Sequence, residues 1–430
     1  MIRRTTVAAC GGACLIFALI AAVAGAEPWL SDPFLLTRKH LREISPDAQI
    51  IVDDVTDRKR FFLSSDGNLL CQVNMREHGS PGLALRGKGR QSLWKIENLP
   101  GYCGGAFVCR SGAVIAVDGY GRIDRYHAYG ATFIAAGGKD IEQVRPAGGV
   151  CSVALSRDEK AFLMCGPSSR EDRNHTNRIA LYDTSGTRIW DVDIGKLDQV
   201  GECAVSSDAV FVTTRAPDAR ILCFSMQDGK PLFDRNIENE GAKGVCFYRY
   251  LILSDDESTL LGLGWGDLVA IDAKTGRTMW HQNLYALSGN EFPRGINGAR
   301  FYTVACSTDG SRVAVLAASV GRVSGTRSDV PAVCRHYALL YDRNGALTSV
   351  RDLETVTDYY DLEWHYLMFP RFEGGLLYVK DDVNEVLVAM ELTGEGRVRK
   401  MSLTGNEAKQ ERAAYEGKER EFHGTPWRLP

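Results

Sequence analysis

After residue 26 this 430-residue chain has no apolar run approaching the ~20 residues a membrane-spanning helix needs, which excludes a later integral membrane segment. Beyond the same point there is no CxxC, no CxxCH and no adjacent cysteine pair, so the usual spacings of redox, zinc and haem sites are missing. No Gly-x-Ser-x-Gly run occurs and no serine or cysteine has an obvious local base, which removes the common signatures of nucleophilic catalysis. The eight histidines lack the i, i+4 pairing of a metal-binding helix. Neither sign of charge dominates: 51 Lys and Arg against 54 Asp and Glu, dispersed along the chain, leave no electrostatic footprint for nucleic acid or an anionic membrane.

What is present begins with residues 1–26. Arg3 and Arg4 open the chain, an apolar run spans 14–23, and Ala24-Gly25-Ala26 offers a small-x-small cleavage site. This pattern predicts a secretory signal peptide and an exported protein, periplasmic or extracellular. Val7-Ala8-Ala9-Cys10 imitates a lipidation site, but the apolar core follows Cys10 where it should precede it. Loss of Arg3 and Arg4 takes the formal charge from −3 to −5. About 400 residues then remain, more than one ordinary core holds, so the chain is multidomain or repetitive.

Ten cysteines lie beyond residue 26, and an even count in an exported chain invites disulfides. Most sit in apolar strand patterns such as Ile221-Leu-Cys-Phe224, where cysteine behaves as a small buried hydrophobe. If Arg157-Asp158-Glu159 is a hairpin turn centred on Asp158, Cys151 and Cys165 face each other and could bridge. On the same kind of count, Cys203 and Cys223 each align with Phe211 from opposite sides.

The chain repeats. Aligned on a turn glycine, seven units appear at Gly89, Gly130, Gly186, Gly229, Gly276, Gly345 and Gly394. Four residues after the last six come Ile134, Trp190, Phe233, Trp280, Ser349 and Val398, and Trp94 follows Gly89 by five. Each glycine is expected to make the turn between the last two strands of a unit, where positive φ is needed. The apolar residue after it is expected to pack between neighbouring units, with Ser349 predicting a loose edge. Alternating strands such as Arg178-Ile-Ala-Leu-Tyr182 and Asp267-Leu-Val-Ala-Ile271 precede the glycines, and polar turns at Ser64-Ser-Asp-Gly67, Ser156-Arg-Asp158, Ser206-Ser-Asp208, Ser254-Asp-Asp256 and Ser307-Thr-Asp-Gly310 precede those strands. Each unit is therefore a four-stranded antiparallel meander, and such units bury both faces when stacked about an axis.

These residues resemble the PQQ-like and WD-repeat β-propellers. The run Ala270-Ile-Asp-Ala-Lys-Thr-Gly-Arg-Thr-Met-Trp280 is similar to the quinoprotein-type repeat, and the Ser-x-Asp-Gly turns are similar to the WD type. The fold expected is all-β, a seven-bladed β-propeller over 48–403, with eight blades the alternative. A short helix is expected in the extension 27–47, a ring-closing strand at 48–52, and a charged tail at 404–430.

The quinoprotein resemblance implies a cofactor held near an adjacent cysteine pair, with calcium on a Glu/Asn/Asp set. This chain has neither feature in its sequence, and the expectation is that it carries no cofactor and no metal. Two loops exceed what a blade needs: 167–177, with Arg170, Arg173 and His175, and 319–331, with Arg322 and Arg327. The connection from the sixth to the seventh unit holds Tyr359, Tyr360 and His365, whereas Trp364, Tyr366 and Phe369 read as the start of an inner strand. Asn174-His175-Thr176 matches the glycosylation sequon by pattern. All these loops belong to one face of a propeller, so the expectation is a monomeric, non-catalytic scaffold that binds a protein or glycan through that face. The alternative is a propeller enzyme, a lyase, lactonase or glycosidase with its site at the axis, and a PQQ-dependent dehydrogenase comes last.

Overall fold

The computed structural model describes residues 59–402 apart from 65–68, 75–80, 88–90, 100–102, 120–127, 168–175, 196–199, 215–219, 238–249, 265, 285–299, 308, 322–332, 359–367, 374–375, 382–385 and 392–397. The expected signal peptide, extension, ring-closing strand and tail lie outside the described residues, as do turn glycines Gly89 and Gly394.

Within them, 28 strands form seven four-stranded sheets, each a meander in chain order. The first sheet holds β1 (Lys59–Leu63), β2 (Leu70–Asn74), β3 (Gly82–Arg86) and β4 (Ser92–Ile96). The second holds β5 (Cys103–Val108), β6 (Val114–Gly119), β7 (Ala128–Ile134) and β8 (Ile141–Val144). The third holds β9 (Ser152–Leu155), β10 (Ala161–Pro167), β11 (Asn177–Asp183) and β12 (Arg188–Gly195). The fourth holds β13 (Val200–Val205), β14 (Ala209–Thr214), β15 (Arg220–Ser225) and β16 (Pro231–Asn236). The fifth holds β17 (Tyr250–Leu253), β18 (Thr259–Leu263), β19 (Asp267–Asp272) and β20 (Thr278–Asn283). The sixth holds β21 (Arg300–Cys306), β22 (Arg312–Gly321), β23 (Val333–Asp342) and β24 (Leu347–Asp358), and the seventh β25 (Met368–Glu373), β26 (Leu376–Asp381), β27 (Val386–Glu391) and β28 (Val398–Ser402). First strands of successive sheets touch, as β9 does β13, β13 does β17, β17 does β21 and β21 does β25. This is β-propeller architecture. Among the described residues no helix is long and apolar enough to cross a membrane.

The core lies between sheets, because successive residues of a strand face opposite sides. In β18, Leu261 packs with Val313, Val315 and Leu339 of the sixth sheet, while its neighbour Leu260 packs with Phe211 and Cys223 of the fourth. A strand covered on both faces has no solvent side, and β14 and β18 are accordingly buried along their whole length.

The turn glycines and the aromatics after them meet across these seams. A Cβ on Gly229 would lie 2.9 Å from the Trp190 ring, one on Gly276 2.4 Å from Phe233, and one on Gly345 2.6 Å from Trp280. The glycine of one sheet thus seats the aromatic of the sheet before it. Two tryptophans also hydrogen-bond the turn they sit under: Trp190 Nε1 donates to the Met226 carbonyl at 2.9 Å and Trp280 Nε1 to that of Arg343 at 3.0 Å. Trp280 further stacks on Tyr341, with ring centroids 6.3 Å apart.

One unit departs from the expected alignment. Gly130 lies inside β7, opposite Asp118, and Ile134 pairs with Ile141. The turn between β7 and β8 is made by Gly138, with φ +70°, and a Cβ there would meet Trp94 at 2.5 Å. In this sheet Glu142 stands where the first, third, fourth and fifth carry an aromatic, and Gly186 rests on it and on Phe133. The loop expected at 319–331 is also shorter, since β22 pairs with β23 as far as Gly321 opposite Val333.

Gly276→Ala should destabilise the protein by about 3 kcal/mol, combining a left-handed backbone at φ +70° with a Cβ driven into Phe233. Gly137→Ala, with nothing within 4 Å of the added carbon, should cost under about 1 kcal/mol. Denaturant unfolding checks both. In a double-mutant cycle Phe233→Ala should recover part of the Gly276→Ala loss, and strict additivity would remove the steric account.

Candidate functional site

A meander places the first-to-second and third-to-fourth turns at one end of each sheet, and the second-to-third and sheet-to-sheet connections at the other. The first end is largely described. Ser156 Oγ donates to Asp158 at 2.8 Å and accepts the Ala161 N–H at 2.9 Å. The same arrangement recurs at Ser206 with Asp208 and Ala209, Ser254 with Asp256 and Thr259, and Ser307 with Asp309 and Arg312. Hydrogen bonds from Ser311 and Ser307 hold the Asp309 carboxyl down at about 2, so this turn keeps its charge well into the acid range.

Neighbouring turns are tied as well. Glu159, at φ 59°, accepts the Arg110 N–H at 2.7 Å, and Glu257, at φ 58°, accepts the Ser207 N–H at 3.0 Å and its hydroxyl at 2.6 Å. Arg157 reaches past the fourth sheet's turn to the Asp255 carboxylate at 2.9 Å and to its carbonyl. That pair is more than half exposed and contributes at most about 1 kcal/mol. Between the second and third sheets lies a polar notch of about 420 Å³ lined by Arg110, Ser111, Asp158, Glu159, Lys160 and Thr184. Arg110 faces Glu159 and Lys160 faces Asp158 within it.

The opposite end carries the expected binding face. Arg170, Arg173, His175, Arg322, Arg327, Tyr359, Tyr360 and His365 all lie outside the described residues, as do Trp364 and Tyr366, while Phe369 falls within β25. The strand ends that lead into these connections are described. Asp118, buried at the end of β6, is held by Arg145 at 2.8 Å, and Thr176 donates to Asp193 at 2.7 Å beside β11. At the start of β9 and β13, Ser152 Oγ lies 3.1 Å from Cys203 Sγ and 3.3 Å from Glu202. Cys165 contacts Cys203 from β10, and burial holds its thiol well above the usual range.

The structure does not place Cys151 opposite Cys165 as the spacing predicts. Phe162 pairs with Leu155 and Cys165 with Ser152, so the hairpin is centred between Asp158 and Glu159. Cys151 is one residue out of register: its N–H donates to the Cys165 carbonyl at 2.7 Å, and Ser152 is the residue opposite Cys165. Cys203 likewise faces Val212, whereas Cys223 does face Phe211. The meeting of Ser152, Glu202 and Cys203 has no signal in the sequence, because it depends on how two sheets pack. Among the described residues no group of three or more His, Cys, Asp or Glu could hold a metal ion.

The model of the family described as outer membrane protein assembly factor BamB, a PQQ-like repeat family, matches residues 175–397. The chain belongs to this PQQ-like propeller family. No curated protein matches it. Among solved structures, AztD from Citrobacter koseri shares 12% identity over 81% of this chain and 87% of its own, with a TM-score of 0.50, a likeness of fold. BamB from Moraxella catarrhalis shares 16% over 77% of this chain and 82% of its own at 0.45, and Sqt1 from Saccharomyces cerevisiae 12% over 80% and 85% at 0.49. The matched residues run from the end of the 167–177 loop through β11 to β27, taking in the 319–331 loop and the sixth-to-seventh connection.

His336 in β23 is fully buried opposite Ala318, and burial lowers its pKa from 6.5 to about 3. The unfolded chain therefore binds a proton that the folded one refuses between those values. Stability from this group is complete above pH 6.5 and falls by about 1.4 kcal/mol per pH unit toward pH 3. In His336→Leu the slope of unfolding free energy against pH should be shallower by that amount in this window, and an unchanged slope would show that the imidazole is not buried neutral. Ser254→Ala, which removes a buried hydroxyl from both Asp256 and the Thr259 N–H, should cost about 1–2 kcal/mol by denaturant unfolding.

Proposed function

We propose that this protein is exported, loses residues 1–26, and acts in the cell envelope as a non-catalytic scaffold that binds protein partners through the end of the propeller carrying the second-to-third and sheet-to-sheet connections. The observation that carries this reading is the family match, whose description names an outer membrane protein assembly factor and whose span takes in the 319–331 loop and the sixth-to-seventh connection. The fold supports it physically. Rigid sheets hold irregular connections at fixed positions, and such connections can vary without disturbing the seams between sheets. Arg170, Arg173 and His175, with Arg322, Arg327, Tyr359, Tyr360 and His365, supply aromatic and cationic groups of the kind that anchor protein interfaces. The partner is a protein in this reading, with a glycan as the other surface the same groups could engage.

The chain, expressed with its own leader in a Gram-negative host, should be recovered from the envelope fraction starting at Glu27 and should crosslink to outer-membrane proteins in intact cells. Alanine at Tyr359, Tyr360 and His365 together should lower that crosslinking about tenfold, whereas Arg157→Ala at the other end should not. Retention in the cytosol with residues 1–26 attached would overturn the export reading. Equal crosslinking by the triple variant and the parent would overturn the assignment of the face.

A further inference from the structure

We infer that Cys165 and Cys203 are joined by a disulfide that staples the third sheet to the fourth in the exported protein; this rests on the export reading above. Cys165 sits in β10 and Cys203 in β13, and both side chains are buried, 1% and 7% exposed, in one hydrophobic cluster shared by these two sheets. The Cys203 side chain lies close enough to Cys165 to perturb its thiol directly. The register explains why this pair meets. Directly opposed residues of an antiparallel pair share a face, so Ser152, opposite Cys165, points to the same side as Cys165. Its hydroxyl lies 3.1 Å from Cys203 Sγ, which locates that side at the seam with the fourth sheet. Cys151 precedes Ser152 and by alternation faces the other side, which removes it as the natural partner of Cys165.

Disulfide formation takes one proton from each thiol and two electrons from the pair. The acceptor is a disulfide-bonded dithiol oxidant of the kind an oxidising compartment supplies; it forms a mixed disulfide with one cysteine, is displaced by the other, and leaves as two thiols. Burial disfavours the attacking thiolate in the finished fold, so the bond forms before the seam between these sheets closes. It then encloses β11 and β12, the outer half of the third sheet, within a covalent loop and limits the opening of that seam.

The test is peptide mass spectrometry of the full chain, alkylated under denaturing conditions without reduction. Three preparations are compared: protein exported by its own leader, protein exported by a substituted leader, and cytosolic protein refolded with oxidised glutathione. The expected result is a linked Cys165–Cys203 peptide in every preparation that reaches an oxidant, with Cys151 alkylated. Reductant should also lower the thermal midpoint of the parent by about 5 °C, and should not lower that of Cys203→Ser. Failure of the native leader alone, with the linked peptide present in the other two preparations, counts against export and leaves the disulfide standing. Exported protein in which both cysteines alkylate, or in which Cys151 is the linked partner, overturns the inference.

Discussion

The contact between a turn glycine and the aromatic of the preceding sheet is what the rest of the structure depends on. A four-stranded meander has two apolar faces and no means of covering either alone. The sheets must therefore be set at a fixed angle and depth against one another. The hydrophobic seams supply the attraction, but attraction between smooth faces does not define depth. The rings of Trp190, Phe233 and Trp280 do, because each abuts a turn where even a Cβ has no room, at Gly229, Gly276 and Gly345. Where the ring is a tryptophan, its N–H also finds a carbonyl of that turn. The first seam keeps the ring but lacks the bond: Trp94 lies under Gly138, yet its Nε1 is buried without a partner, in the one unit where the ring follows its own glycine by five residues.

Most of this was legible because glycine and aromatic recur at a fixed offset and both are needed for the same contact. The second sheet shows where the reasoning stops. Gly130 fits the spacing of a turn glycine, but it lies in a strand where a Cβ would come within 2.0 Å of the Val144 carbonyl, and Gly166 has a similar relation to the carbonyl of Gly149. A glycine kept for close backbone approach and a glycine kept for positive φ look alike in a sequence. The true turn, Gly138, is followed by Glu142 in place of an aromatic, so the second half of the signature that would have distinguished them is missing.

The cysteines show a different limit. Hairpin register turns on whether the turn is centred on a residue or between two, and Glu159 at positive φ puts the centre after Asp158. A shift of one residue reverses the face to which every side chain of the strand points. Cys151 is thereby exchanged for Ser152 as the neighbour of Cys165, and the seam to the fourth sheet brings in Cys203. Pairing within a sheet can be attempted from spacing alone; contacts between sheets require the packing angle, which no spacing encodes.

The two ends of the sheets are built on different principles, and this bears on where activity can reside. At the described end, side chains are committed to holding the turns and joining one turn to the next: the serines and aspartates within each turn, Glu159 and Glu257 between adjacent turns, Arg157 and Asp255 across one. A ligand arriving there must compete with hydrogen bonds that keep sheets in order, so affinity would be gained at the expense of stability. At the other end the repeat is interrupted by insertions after β10 and β22 and by the long passage after β24. Residues there are released from the glycine and aromatic register, and can change without altering the seams. Where the described periodic positions are engaged in packing, the proposed recognition surface is the one formed by the segments that leave the period.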